Sequence, residues 1–107
     1  MVKVNVKPLS VNKAWQGRRF KTKEYKEYEK ELLLKLSPLE LPKKPYSLKI
    51  IFGVENKLTD IDNLLKLFID IAQKKYGFND RDIYELNVKK EIVKKGFSFI
   101  KFNIKPY

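Results

Sequence analysis

The chain contains no cysteine and no histidine, and only four glycines, one tryptophan and one methionine in 107 residues. Without cysteine there is no disulfide framework and no thiolate zinc site. Without histidine the commonest general base and transition-metal ligand are missing too. Any metal must then be held by oxygen, which favours Mg²⁺ or Mn²⁺ over zinc. Long hydrophobic runs are also absent. The opening MVKVNVKPLS alternates apolar and polar residues, so neither a signal peptide nor a membrane span is expected, and a cytoplasmic location is compatible.

Acid is the scarcer charge. Against 24 Lys+Arg stand 13 Asp+Glu, a formal net charge of +11, which points to a polyanionic partner: nucleic acid first, an anionic membrane surface second. The excess is uneven, with 14 basic and six acidic residues up to Lys57 and ten and seven after it. Hydrophobic residues at 43% and aromatics at 13% are enough for a core, so residues 1–107 read as a single globular domain.

Val2, Val4 and Val6 alternate with Lys3 and Asn5 as a first strand ended by Pro8. Residues 10–23 follow neither period and mix Lys13, Arg18, Arg19, Lys21 and Lys23 with Trp15 and Phe20, which reads as a basic loop. Thr22 can cap a helix whose Tyr25, Tyr28, Leu32 and Leu36 recur at three and four. A proline-rich connector, 38–45, leads to a second strand over 46–54, and Gly53 suggests a bulge or a close approach. The spacing then predicts a helix over 61–76 burying Leu65, Phe68, Ile69 and Ala72, capped by Gly77. Strands over 83–90 and 97–104, joined by Lys94-Lys95-Gly96, read as a hairpin. The order is βαβαββ: an α+β fold, a mixed sheet packed by two helices.

The chemistry-bearing stretch is TDIDNLLKLFIDIAQKKYGFND, Thr59 to Asp80. Residues two apart on a helix diverge, so Asp60 and Asp62 can serve one ion only if Asp60 precedes the helix. Asp80, in the loop beyond, would then join them, leaving positions on a hard cation for water and phosphate. A plainer account competes. Asp60 or Thr59 can cap the helix, Asp62 can favour its positive end, and Asp62–Lys66 and Lys66–Asp70 are both i to i+4 ion pairs. Asp80 can be turn chemistry, and Asn63 can orient a ligand or satisfy the helix terminus.

Taken together, D-x-D-N-x-x-K followed by Gly77, Asn79 and Asp80 and a strand with Ile83 and Leu86 resembles the RusA Holliday junction resolvases, small homodimeric nucleases usually encoded by phages and prophages. The likeness is sharp from about Asp60 to Lys90 and looser back through Asn12 and Arg18-Arg19-Phe20 to Tyr25. It implies that Asp60, Asp62 and Asp80 hold Mg²⁺, with Mn²⁺ as a substitute, that Lys66 contacts the scissile phosphate, and that Asn63 supports them. Asp82 is the alternative third acid, because Asn79 stands where family members often carry an aspartate before it. The segment Val54 to Leu58 also lacks the basic run that often precedes the first pair.

The function so implied is metal-dependent endonucleolytic resolution of four-way DNA junctions by a homodimer making paired nicks, with no membrane partner. Lys13, Arg18, Arg19, Lys21 and Lys23 would contact phosphates, and Trp15 and Phe20 would stack on unpaired bases or pack in a core or dimer interface. The alternative is a non-catalytic basic domain that binds RNA, the ribosome or another nucleic acid.

Overall fold

The longest alternating stretch becomes the centre of the sheet. In a computed structural model, which describes residues 1–11, 14–16 and 20–107 and, for Trp15, Gln16 and Phe20, the backbone alone, the strands are β1 (Val2–Val4), β2 (Trp15–Gln16), β3 (Phe20–Lys21), β4 (Tyr46–Val54), β5 (Ile83–Ile92) and β6 (Phe99–Pro106). The helices are α1 (Lys23–Lys35) and α2 (Ile61–Tyr76). The main sheet has the order β1-β6-β4-β5, with β4 antiparallel to β6 and parallel to β5. Both helices cover one face of it, where Leu48, Ile50, Phe52 and Val54 of β4 meet Ile100 and Phe102 of β6. The expected α+β class and βαβαββ order therefore hold for the main sheet. The short β2/β3 ladder is additional and falls in the stretch read as a loop.

The expected β5–β6 hairpin does not form. A hairpin would leave β4, the most completely buried strand, at an edge of the sheet. Inserting β4 between β5 and β6 gives it a partner on each side. The connector between β5 and β6 therefore passes over the end of β4, where the Val93 amide donates to the Val54 carbonyl at 2.9 Å. Gly96 turns the chain there at φ 88°. Its amide (3.0 Å) and the Ser98 hydroxyl (3.2 Å) donate to the Glu55 carboxylate.

Both helices begin and end near the expected points. Thr22 caps α1 by accepting from the Tyr25 amide at 3.1 Å, and Tyr25, Tyr28, Leu32 and Leu36 are buried. Helix α2 ends at Gly77, at φ 77°. Its buried arc is Leu64, Leu67, Phe68, Ile71 and Ala72, with Leu65 and Ile69, expected inside, only half-buried. The difference arises because apolar residues cover most of the helix circumference, and packing against both α1 and the sheet selects the arc. Among the described residues no helix is long and apolar enough to cross a membrane.

Candidate functional site at the entry of helix α2

The chain leaves β4 through a turn in which the Asn56 side chain accepts from the Leu58 amide at 2.9 Å, and then enters α2. Asp60 occupies the capping position with an extended backbone, yet its carboxylate makes no capping hydrogen bond. Asp62, in the first turn, accepts from the Asn63 amide at 3.1 Å. Lys66 lies one turn further, its ammonium 3.6 Å from Asp70, the second of the two ion-pair spacings. Asp60, Asp62 and Lys66 are all exposed. The structure thus sets the first two acids at the positive end of the helix, where anionic side chains are favoured, and pairs Lys66 with Asp70 rather than with either of them.

Asp80 is not brought to them. It opens a 3₁₀ turn, Asp80–Asp82, beyond the far end of α2, and its amide donates to the Gln73 side chain at 2.8 Å. Sixteen residues of helix at ~1.5 Å each put about 24 Å between the two ends. The expected convergence within one chain therefore fails, and Asp82 does not rescue it, because it shares the same turn. Among the described residues no group of three histidine, cysteine or acidic side chains is placed to hold a metal ion. Asn79 works as turn chemistry, accepting from the Arg81 amide at 3.0 Å.

Asp60 and Asn63 instead face a cleft of ≈ 650 Å³ between α1, the N-terminal connector and the turn before α2. Glu24, Glu27 and Glu31 of α1 and Glu55 line it too, so this is an acidic cleft in a basic protein. The three α1 glutamates recur at three and four residues, a signal legible in the sequence that the search for paired aspartates passed over. Across the cleft the Tyr28 phenol is pushed up well above its ordinary value by burial. The Glu55 carboxyl is held below its ordinary range by the Gly96 amide and the Ser98 hydroxyl.

Of the basic residues expected to touch phosphate, Lys13, Arg18 and Arg19 lie outside the described residues, as do the side chains of Trp15 and Phe20. Lys21 is engaged otherwise: its ammonium lies 3.1 Å from Glu29 and 4.8 Å from the Tyr25 ring centre. Burial alone would raise the Glu29 carboxyl, but Lys21 and Lys74 hold it below its ordinary range. Lys21 therefore ties the β2/β3 ladder to α1 rather than standing free. Lys23 has a 90% exposed side chain 3.9 Å from Glu27 and remains available to a ligand.

The uncovered face of the sheet carries basic residues that the sequence reading did not single out. Lys3, Lys101, Ile51 and Lys89 form one row across β1, β6, β4 and β5, and Lys49 and Lys105 share that face. Lys3 and Lys101 lie over the Phe99 ring, 5.2 and 4.9 Å from its centre. In comparisons with known proteins the chain matches no family model and no curated protein.

Proposed function

We propose that the chain is a metal-dependent, structure-specific endodeoxyribonuclease acting on four-way DNA junctions as a homodimer. The observation that carries this reading is Asp60: a carboxylate at a helix entry, in the capping position, that caps nothing. With Asp62 and Lys66 beside it, it supplies oxygen donors and a cation where a phosphodiester can approach. One chain alone does not fit the ion, because its third acid lies beyond the far end of α2, a helix about 24 Å long. The reading therefore requires that Asp60 and Asp62 of one protomer work with the Asp80 turn of the second copy. A homodimer then carries two identical composite sites.

Bound there, Mg²⁺, or Mn²⁺ in its place, supplies Lewis-acid charge and a more acidic water at neutral pH. Asp60, Asp62 and Asp80 would be its oxygen donors, all carboxylates, as a hard cation prefers. Lys66 gives up Asp70 for the scissile phosphate and neutralises developing charge. Asn63 faces the same cleft as Asp60 and orients the substrate. Lys23 holds flanking phosphate, and Lys13, Arg18 and Arg19 are assigned the same work from sequence alone.

Labelled four-way junction and plain duplex, incubated with protein while Mg²⁺ is titrated in, test the proposal. Paired nicks in the junction are expected, and their absence with both Mg²⁺ and Mn²⁺ overturns it. Asp62→Asn and Asp80→Asn each abolish cleavage and spare junction binding. A mixed dimer of these two variants regains one intact site and nicks one strand, whereas sites built within one chain would leave it inert.

One observation favours a non-catalytic nucleic-acid-binding domain: the lysine row on the open sheet face, in a chain where no group of three acidic side chains among the described residues is placed to hold an ion. Salt-sensitive junction binding without nicking at any metal concentration would select that reading.

A further inference from the structure

The acids around the cleft between α1 and the turn before α2 are too dispersed to share one ion. Glu24, Glu27 and Glu31 of α1 line it together with Glu55 and Asp60, and among the described residues Lys7 is the one cation in the lining. No three of these carboxylates are placed to hold a metal. Glu27 and Glu31 have partners in Lys23 (3.9 Å) and Lys35 (2.7 Å), and Glu55 has Gly96 and Ser98. Glu24 and Asp60 have none among the described residues.

A second observation marks the cleft as a binding site. Tyr28, which lines it, is only 5% exposed, and its hydroxyl has no hydrogen-bond partner among the described residues. The Leu9 backbone lies close enough to offset part of what burial does to the phenol, without completing a hydrogen bond. A buried hydroxyl left in this state is unfavourable, and such groups are as a rule satisfied by a partner.

We propose that the cleft binds a linear aliphatic polyamine, with the α1 glutamates and Asp60 on its ammonium groups and the Tyr28 hydroxyl accepting from one of them. The size and lining suit that class. A cleft of ≈ 650 Å³ falls within the ~300–1,000 Å³ of small-molecule sites. Successive α1 glutamates rise by ~4.5 and ~6 Å along the helix, comparable to ammonium groups joined by short methylene chains. Pro8, Leu9, Val54 and Leu58 contribute apolar surface to the same cleft, against which the methylenes pack. A dispersed row of carboxylates is best neutralised by a cation whose charge is dispersed in the same way, because attraction falls with distance and a compact ion stays remote from most of the row. In a chain of net charge +11, this cleft supplies the local excess of acid that a polycation needs.

Calorimetric titration of spermidine into the full chain, without DNA or Mg²⁺, tests the site separately from cleavage. One saturable site per chain is expected, weaker for putrescine, which has one ammonium fewer, and weakening as salt rises. Glu24→Gln, Glu27→Gln and Glu31→Gln combined should raise the dissociation constant about tenfold or more. Tyr28→Phe should raise it about fivefold while leaving the free protein at least as stable to heat, because that variant loses an unsatisfied group and no bond. A Tyr28→Phe protein that binds as tightly as the wild type makes the hydroxyl a stranded core group and overturns the proposal. Absence of saturable binding, or a triple variant that binds unchanged, overturns it as well. Tighter binding of a lysine-rich peptide than of spermidine overturns the polyamine assignment and gives the cleft to a basic protein segment. The nuclease reading stands apart: nicking without spermidine binding, or binding without nicking, overturns one and leaves the other.

Discussion

Gly53 shows how one residue without a side chain sets the outer face of the sheet. It lies opposite Phe99 in register, and a Cβ there would fall against the Phe99 ring. The ring in turn is covered by Lys3 and Lys101. Gly53→Ala must displace the ring and its lysines, and overpacking of this kind costs about 1–3 kcal/mol. Chemical denaturation should show the midpoint falling by that free energy divided by the denaturant slope, with the slope itself unchanged. The sequence marked Gly53 as a bulge or close approach, and the close approach is correct. It could not name the partner, because Phe99 is 46 residues away in the chain and meets Gly53 only when β6 pairs with β4.

At the scale of elements, the two helices were legible and the joining of the last two strands was not. Thr22, the i, i+3, i+4 pattern through Leu36, and Gly77 after Tyr76 are local signals, and each element they define follows from them. The β5–β6 relation is decided by which strand needs two neighbours, which is a property of the assembled sheet. Glu55 helps hold the resulting connector, and its carboxyl is held below its ordinary value of 4.5 by the Gly96 amide first and then the Ser98 hydroxyl. A depressed folded-state pKa contributes stability that is present above the unfolded value and lost as pH falls through the folded one. Glu55→Gln should therefore match the wild type's acid sensitivity less closely below about pH 4.5, its unfolding midpoint declining less steeply there. Parallel declines in the two proteins would show that the connector does not depend on the ionised carboxylate.

For the whole molecule, charge is unevenly distributed: a row of lysines crosses the open sheet face, while glutamates and Asp60 line the cleft between α1, the N-terminal connector and the turn before α2. Nucleic-acid binding by such a body should weaken with salt as counterions return to the phosphates. Arg18→Ala and Arg19→Ala should each reduce the slope of log K against log salt by about one, and an unchanged slope would remove those residues from the interface. Composition alone pointed towards a polyanionic partner and restricted any metal to oxygen ligands, since charge balance and the lack of cysteine and histidine are independent of folding. Local periodicity determined the helices and their caps, because a helix and its cap are made within a few residues. Only the tertiary structure decided how far apart the acids stand. Asp60 and Asp80 are near in sequence and chemically alike, but the helix between them is rigid and about 24 Å long, so what reads as one cluster becomes the two ends of an element.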